Sequence, residues 1–329
     1  MTQRGLVQVV VLAVLLPLAW AAAATAEFPD RAITVVNPQA PGGAFDTQGR
    51  AFAAVAEKYL GKPMVMVNKA GASTMIGAMA VAEAPADGYT LLLGSTMQTT
   101  VVEWDIVTGK KPAVHRDDFV TLGSLTLLPT TIAVPINSPW NSIADLVRDA
   151  KAKPGQYAYC SAGLLSPSHL GGELFARAYG LKFRHVPYKG GGPCLSATVG
   201  GHVDFNTQFP INTIPLAQGN KLRILAVQTD RRLAPIPSVP TLKELGVQAE
   251  NYMWSGLLAP KKTPAAIVEK LRAVTASAAR DKAFVEAIEK LGTEVRFMDG
   301  PELAKYWEKE TEGMARLLGE LHKEGLKVD

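Results

Sequence analysis

Two glycine-bearing turns carry the residues best suited to binding an anion. The first turn, NPQAPGGAFD, follows the apolar run AITVV and precedes a helix-like run. A turn from the carboxyl end of a strand into a helix points free backbone N–H groups, and the positive end of the helix dipole, at a ligand. Gly42 and Gly43 let the ligand come close to that backbone. The spacing therefore predicts an anion-binding loop at this position.

Asp46 ends the first turn and has two interpretations. It can cap the first turn of the following helix and pair with Arg50, four residues further on. Alternatively, its carboxylate faces a cationic ligand. The helix dipole alone favours an acidic residue in a first helical turn, so the capping interpretation needs no ligand.

The second turn has the same order of parts. In YCSAGLLSPSHLGGELF a strand leads through Ser161 and Gly163 to Ser166, which is followed by a proline. Ser166 is a predicted N-cap with proline in the first helical position. The expected donors are the Ser161 and Ser166 hydroxyls, the backbone amides up to Ser168, and His169. A histidine at a helix start serves either structure or ligand binding, and both alternatives stay open here.

A third turn, HVPYKGGGP, places Tyr188 and Lys189 before three glycines and a new helix. It lacks the Gly-x4-Gly-Lys-Ser/Thr order of a phosphate-binding loop. It is either a simple strand-to-helix connection or a further wall of the same crevice.

Catalytic motifs are missing from the sequence. There is no G-x-S-x-G, H-E-x-x-H, C-x-x-C or G-x-G-x-x-G, and no two of the five histidines are three or four residues apart. Amide-rich turns without a nucleophile–base pair or a metal-ligand set favour binding over catalysis. We therefore expect a binding protein without cofactor or metal.

The elements that position these turns alternate between strands and helices. Several of the short apolar runs are apolar on both faces, which is typical of a largely parallel sheet covered by helices. The fold class is therefore α/β. The predicted strands are AITVV, MVMV, YTLLLGS, TIAVPI, YAYCS, FRHVPY, VDFNT, LRILAVQT and WSGLLAP.

The length of the chain favours two lobes, because about 300 residues exceed what one hydrophobic core usually serves. No linker-like segment separates them, so we expect strands to cross between the lobes, with TIAVPI and YMWSGLLAP as the crossing candidates. Lobe 1 is then discontinuous and combines residues 27–130 with 253–329. Lobe 2 comprises residues 131–252.

Residues 1–26 resemble a secretory signal peptide, with one positive charge, an apolar stretch and a small-residue end before Glu27. An uncleaved anchor is the alternative, but the apolar stretch is shorter than the ~20 residues of a spanning helix. Without Arg4 the chain holds 33 basic and 30 acidic residues, and it has no concentrated basic patch. We therefore expect a periplasmic protein that binds neither nucleic acid nor a membrane surface. In that oxidising compartment Cys160 and Cys194 pair once or remain separate buried thiols.

Beyond these local patterns, the sequence resembles the periplasmic receptors of tripartite tricarboxylate transporters, the Bug (Bordetella uptake gene) family. The similarity runs in order from Pro29 to the final helices and covers essentially the whole mature chain. The segments that carry it are PDRAITVVNPQAPGGAFDTQGRA, VNKAGASTMIGAMAVAEAPADGYTLLLGS, HLGGELF, HVPYKGGGP, GGHVDF, GNKLRILAVQT, PSVPTLKELG and WSGLLAPKKTPAAIVEKL.

The resemblance implies a monomeric, two-lobed receptor that closes on a small carboxylate-bearing metabolite and delivers it to a membrane permease. In the family, backbone amides and ordered water from one loop in each lobe hold the carboxylate. Those loops correspond here to residues 39–46 and 161–169. The expected ligand contacts are Gln39, Ala40, Gly42, Gly43, Ala44, Asp46, Ser95, Ser161, Gly163, Ser166, Ser168, His169, Tyr188 and Asn206.

Several positions depart from the family pattern. Gln39 replaces a common phenylalanine, so an amide stands where an apolar wall is usual. Leu164 and Leu165 replace more polar residues, which predicts a less polar pocket. Cys160 and Cys194 stand at positions that are usually small residues beside the loops of lobe 2, which favours a disulfide between them.

Two alternatives remain open at this stage. The receptor can serve a membrane sensor kinase instead of a permease, which its own sequence does not decide. A periplasmic enzyme on the same scaffold would require Ser166, His169 and a distant acid to converge.

Overall fold

The structure, a computed structural model, describes residues 28–39, 41, 44–188, 190–290, 293 and 295–327, with only the backbone of Ala44. The signal peptide predicted at residues 1–26 lies outside the described residues. So do four residues of the predicted loops, Ala40, Gly42, Gly43 and Lys189.

Among the described residues, ten strands form two five-stranded sheets. The first sheet has the order β2-β1-β3-β10-β4, and the second has the order β7-β6-β8-β5-β9. The strands of the first sheet are β1 (Ile33–Asn37), β2 (Met64–Asn68), β3 (Thr90–Ser95), β4 (Phe119–Pro129) and β10 (Tyr252–Pro260). Those of the second are β5 (Thr131–Pro135), β6 (Ala158–Ser161), β7 (Arg184–Pro187), β8 (Phe205–Asn206) and β9 (Leu222–Val227).

Each sheet contains one strand that runs against the others. In the first sheet β1 is parallel to β2 and β3, whereas β10 is antiparallel to both β3 and β4. In the second sheet β6 is parallel to β7 and β8, whereas β5 is antiparallel to β8 and β9. The prediction of largely parallel sheets in an α/β fold is therefore confirmed, with one reversed strand in each sheet.

Helices follow most strands and cover the sheets. They are α1 (Ala44–Leu60), α2 (Met75–Ala82), α3 (Thr96–Val107), α4 (Ile143–Ala152), α5 (Pro167–Tyr179), α6 (Gly191–Val199), α7 (Pro210–Gln218), α8 (Ala265–Ala279), α9 (Lys282–Lys290) and α10 (Gly300–Lys323). Short 3-10 turns occupy Ala72–Thr74 and Arg116–Asp118. None of the helices in this part of the chain has the length and apolar character of a membrane span.

The first sheet is apolar on both faces, because its side chains alternate between two cores. Ile33 and Val35 of β1 join Phe45 and Phe52 of α1 in one buried cluster. Val36, between them, belongs to a cluster on the opposite face. This two-sided burial explains why β1 reads as a continuous apolar run rather than an alternating one.

The two crossing candidates do not cross between the sheets. TIAVPI is β5, within the second sheet, and YMWSGLLAP is β10, within the first. The chain changes sheet at Thr130, the single residue between β4 and β5, and returns at Asn251, just before β10. Thr130 and Asn251 are buried and hydrogen-bond to each other and to Gln228. We call Thr130, Gln228 and Asn251 the junction.

Helix α10, the longest helix in the described part of the chain, contacts both the first sheet and helix α5. Leu303 and Trp307 near its start pack in a core of the first sheet. Its later part shares a buried apolar cluster with Leu165 and Leu170, which flank the start of α5. Arg177 of α5 completes this contact through ion pairs with Glu320 at 2.9 Å and Glu324 at 2.8 Å.

Candidate functional site

The carboxyl ends of β1 and β3 lie at the edge of the first sheet that faces the junction. Ser95, the last residue of β3, lies opposite Ser255 of β10, and Ser255 neighbours Thr126 of β4. Thr126 is only four residues before Thr130. Because β1 runs parallel to β3, the loop that leaves β1 emerges at the same edge.

The second sheet has the same arrangement. Cys160 of β6 is in register with Asn206 of β8, and Asn206 pairs with Ala133 of β5. Ala133 is three residues after Thr130. The loop after β6, residues 161–169, therefore also leaves its sheet on the side of the junction. We call residues 37–46 and 161–169 the first and second loops.

The first loop is held by a buried carboxylate. Asp46 Oδ1 accepts hydrogen bonds from Asn37 Nδ2 at 3.1 Å and Asn68 Nδ2 at 2.9 Å, and Oδ2 pairs with Arg50 Nε at 2.9 Å. Asn68 Nδ2 also donates to the Gln39 carbonyl, and the Gln39 amide donates to Asn37 Oδ1. The predicted pair between Asp46 and Arg50 is confirmed. The Asp46 side chain is only 5% exposed and its partners are protein groups, which fits a loop-positioning role rather than a cation contact.

Ser95 caps the next helix on the same edge. Its hydroxyl accepts from the Met97 amide at 3.3 Å, and its own amide donates to Gln98 Oε1 at 2.6 Å. Gln98 Nε2 in turn donates to Thr74 Oγ1 at 2.8 Å. The start of α3 is thus fixed beside the first loop, with Ser95 buried and used as a cap.

The second loop is built from serine hydroxyls. Ser166 is the N-cap of α5, accepting from the His169 amide at 3.2 Å and donating to the Gly163 carbonyl at 2.7 Å. Ser168 Oγ accepts from the Ala162 amide at 2.9 Å, and Ser161 Oγ accepts from the Gly163 amide at 3.1 Å. The predicted cap with Pro167 in the first helical position is therefore confirmed.

Two backbone amides of the second loop differ from their neighbours in the hydrogen bonds that the structure describes. Within the described residues, the backbone N–H groups of Leu164 and Ser168 have no hydrogen-bond partner. Ser168 is buried, and its amide belongs to the first turn of α5, whose dipole favours an anion. Gly163, at φ +130°, adopts a backbone conformation that favours glycine.

His169 is neutral and supports the loop from beneath. Its Nδ1 atom accepts the Leu165 amide proton at 3.0 Å, which requires an unprotonated nitrogen, so the remaining proton is on Nε2. Burial, together with the neighbouring His185, lowers the pKa of His169 to about 3. Glu173, 3.8 Å from Nε2, therefore faces a neutral ring.

His185, which the sequence did not single out, completes this support. Its ring stacks on His169 with centroids 4.0 Å apart, and its Nε2 lies 2.7 Å from Ser161 Oγ. Because the Ser161 hydroxyl donates to the Gly163 carbonyl, His185 Nε2 is the donor in this pair. Burial lowers the pKa of His185 to about 4, so this ring is neutral as well.

The other predicted contacts of lobe 2 lie at the carboxyl ends of β7 and β8. The Tyr188 amide donates to the Ser161 carbonyl at 3.1 Å, which ties the third turn to the second loop. Asn206 is buried, and its side chain donates to Thr198 and accepts from the Gln208 amide, so it holds the end of β8. Cys160 and Cys194 form a disulfide that links β6 to α6 behind the second loop.

Catalysis by a serine nucleophile with a histidine base would need the serine hydroxyl to donate to an unprotonated histidine nitrogen. Ser166 instead donates to a carbonyl, and His169 Nδ1 is used by the Leu165 amide. Ser161 contacts His185 at the nitrogen that carries the proton. Neither pair has the arrangement that activates a nucleophile.

The residues that the sequence missed are side chains that hold the loops. Asn68 and His185 come from the neighbouring strands β2 and β7, 22 and 24 residues from their partners Asp46 and Ser161. A polar residue in or at the end of a short apolar strand beside a binding loop was the available signal. This signal identifies a particular loop-holding residue only when the order of the strands in the sheet is known.

Comparisons with known proteins identify the family. Residues 49–322 match the model of the tripartite tricarboxylate transporter family receptor. The chain is 33% identical to Protein BugT of Bordetella pertussis over 261 residues, which cover 79% of this chain and 80% of BugT. The chain therefore belongs to the tripartite tricarboxylate transporter receptor family, the family that its sequence resembles.

Two solved structures of similar proteins contain carboxylates. Rpa4515 of R. palustris with adipate is 30% identical, with a TM-score of 0.76 and coverage of 89% of this chain and 99% of that one. MatC of Rhodopseudomonas palustris with bound malate is 28% identical, with a TM-score of 0.73 and coverage of 88% and 100%.

Proposed function

We propose that this protein is a periplasmic receptor that binds a small organic acid between its two sheets and delivers it to the membrane permease of a tripartite transporter. The observation that carries the proposal is the pair of unbonded amides, Leu164 and Ser168, in a loop at the start of α5. The family membership and the acids bound by Rpa4515 and MatC support a carboxylate as the ligand.

The proposed lobes correspond to the two sheets, except that Tyr252, the first residue of β10, falls within lobe 2. Lobe 1 combines residues 27–130 and 253–329, and lobe 2 comprises residues 131–252. A ligand held by both loops adds contacts that exist only when the lobes are closed, so its binding favours closure. The permease then distinguishes the loaded receptor by its closed shape. Export through the predicted signal peptide is part of the proposal, and N-terminal sequencing of the periplasmic protein would test cleavage before Glu27.

The second loop can attract an anion although it contains no arginine side chain. His169 and His185 are neutral, so the positive end of α5 and the free amides supply the attraction. Donors of this kind bind one carboxylate without fixing the rest of the ligand. The ligand class we propose is therefore a mono- or dicarboxylic acid.

A thermal-shift screen with organic acids, followed by calorimetry, tests the function. A ligand that binds only the folded protein raises its melting temperature. We expect at least one mono- or dicarboxylate, with adipate and malate included, to do so. If no carboxylate stabilises the protein while an uncharged compound or a cation does, the proposal is wrong.

The variant Gly43→Asp tests the first loop, although Gly43 lies outside the described residues. A carboxylate at this position would repel that of the ligand, so we expect binding to be abolished while the protein stays folded. Unchanged affinity would remove the first loop from the site.

A further inference from the structure

Gln48 is a buried polar residue that lies just outside the first loop. It lies in α1, one turn after the helix begins at Ala44, and is only 2% exposed. Its helical neighbours Phe45 and Phe52 belong to the core of the first sheet. A glutamine on an apolar helix face requires partners for both ends of its carboxamide.

Only one end of the Gln48 carboxamide has hydrogen-bond partners in the part of the chain that the structure describes. Oε1 accepts from Thr126 Oγ1 at 2.6 Å and from Ser255 Oγ at 3.0 Å. Nε2 is buried and has no hydrogen-bond partner among the described residues. Leaving a buried donor unpaired destabilises the folded protein, so such a group calls for an explanation.

The orientation of the Gln48 carboxamide follows from the need of the Thr126 and Ser255 hydroxyl protons for an acceptor. With Oε1 towards Thr126 and Ser255, both hydroxyls have an acceptor. In the exchanged orientation Nε2 would donate to both hydroxyls, and their mutual contact at 2.9 Å would provide an acceptor for only one proton. The free group is therefore the N–H₂ end.

The position of Gln48 is at the proposed cleft. Its partner Ser255 lies opposite Ser95, at the edge of the first sheet where β3 ends near the junction. Phe209, which follows β8 of the second sheet, packs against the same core as Phe45. Gln48 therefore lies two residues beyond the first loop, and its partners Thr126 and Ser255 lie at the end of the first sheet that is nearest the junction.

We propose that Gln48 Nε2 donates a hydrogen bond to a carboxylate or carbonyl oxygen of the bound acid. The inference rests on the proposed function and adds a side-chain donor from lobe 1 to the backbone donors of lobe 2. The two hydroxyls hold the carboxamide in place before the ligand arrives, so little side-chain freedom is lost on binding. The ligand class that fits is an acid with a second oxygen acceptor, such as a dicarboxylate or an oxo acid.

Calorimetry of Gln48→Met with adipate and malate tests this inference. Methionine keeps the volume and removes the donor, so we expect the affinity for the acid that binds the wild type to fall about ten- to hundredfold, the usual value of a hydrogen bond to a charged group. The melting temperature without ligand should fall only by the loss of the Oε1 acceptor, because Nε2 has no protein partner to lose and one of the two hydroxyls can still donate to the other.

Gln228→Met is the matched control for stability. Gln228 is fully buried, its Nε2 donates to the carbonyls of Gly171 and Ala249, and its Oε1 accepts from Thr130. All its polar atoms are bonded within the protein, so we expect its replacement to lower the melting temperature clearly more than Gln48→Met does.

Gln48→Glu separates a donor role from a packing role. It keeps an oxygen towards Thr126 and Ser255 but presents a carboxylate to the ligand. We expect weak binding at pH 8 that strengthens as the pH falls, because a protonated carboxyl regains a donor. If the wild type binds adipate or malate and both Gln48 variants bind it equally well at every pH, the inference is wrong while the receptor function stands. If the wild type binds no carboxylate at all, the proposed function fails and the inference with it.

Discussion

The two loops beside the junction are held in different ways. The first loop depends on charge, with the Asp46 carboxylate bonded to Asn37, Asn68 and Arg50. The second loop depends on neutral groups, namely three serine hydroxyls and two stacked imidazoles, with a disulfide behind it. A fixed negative charge beside an anion-binding loop would repel the anion unless other groups neutralise that charge. A loop of neutral groups has no such charge, so the positive end of its helix dipole attracts the anion without competition.

This contrast suggests that the two loops contribute to ligand binding in different ways. The second loop presents free amides on a preorganised frame, which is the arrangement expected of the main anion contact. The first loop has its anionic side chain engaged by protein groups, and a side-chain donor, Gln48, stands next to it. Substitutions among the residues that hold the first loop should therefore differ from substitutions among those that hold the second loop in their effects on stability and ligand affinity.

Removing the disulfide should have the largest effect on stability. Cys160 and Cys194 are 34 residues apart in sequence. A disulfide that closes a loop of this length raises the free energy of the unfolded chain by about 3–4 kcal/mol, because it lowers the entropy of that chain. We expect the Cys160→Ser/Cys194→Ser double variant to lose roughly that free energy of unfolding in urea titrations. Adding reductant should bring the wild type to the same value. A variant as stable as the oxidised wild type would show that the second loop does not depend on this link.

Asp46→Ala should destabilise the first loop by about 2–3 kcal/mol, because it leaves the buried Asn37 amide group without its acceptor and removes the carboxylate that pairs with Arg50. Urea titration measures the loss. Glu269→Ala is the matched control, since Glu269 pairs with Arg272 on an exposed helix surface. That change should cost less than about 1 kcal/mol. Equal effects of the two changes would mean that the charge network does not hold the first loop.

Ser166→Ala should cost about 1–2 kcal/mol of stability through loss of a helix N-cap. Ser142 caps α4 in the same way, away from the loops, and Ser142→Ala is the matched control. The two variants should lose similar stability, but only Ser166→Ala should weaken acid binding in calorimetry, because Ser166 also holds the Gly163 carbonyl. Equal affinities of the two variants would remove the second loop from the site.

The pH dependence of stability should differ in sign between the two lobes. His185 has its pKa lowered to about 4, so the unfolded chain takes up a proton between pH 6.5 and pH 4 that the folded protein does not. This lowers stability as the pH falls, by at most about 1.4 kcal/mol per pH unit. Compared with His185→Gln, which retains a donor to Ser161, the wild type should lose more stability over this range in urea titrations.

Glu310 of α10 should act in the opposite direction. It is half-buried and accepts hydrogen bonds from Thr96, Thr99 and Trp254, and its partial desolvation raises its pKa to about 7. The folded protein then binds a proton that the unfolded chain releases above pH 4.5, so stability is lost as the pH rises towards 7. We expect Glu310→Gln to gain stability relative to the wild type between pH 5 and pH 8. Parallel curves for these two proteins would contradict the sign difference.

Local features of this fold follow from the sequence, because they depend on neighbouring residues. The caps at Ser142 and Ser166, the Asp46–Arg50 pair and the apolar strands such as β1 are of this kind. The sheet order and the long-range contacts do not. Ser161 meets His185, and Gln48 meets Ser255, only because particular strands become neighbours. The crossing segments were misplaced for the same reason, since TIAVPI and YMWSGLLAP would look alike whether they cross or stay within one sheet.

The most direct test of the central claim is a crystal structure of the protein with a bound carboxylate identified in the screen. We predict a carboxylate oxygen within about 3.2 Å of the Leu164 or Ser168 amide, with the first loop on the opposite side of the same ligand. A ligand bound away from both loops, for example against Tyr252 and Glu310 behind the junction, would contradict the claim.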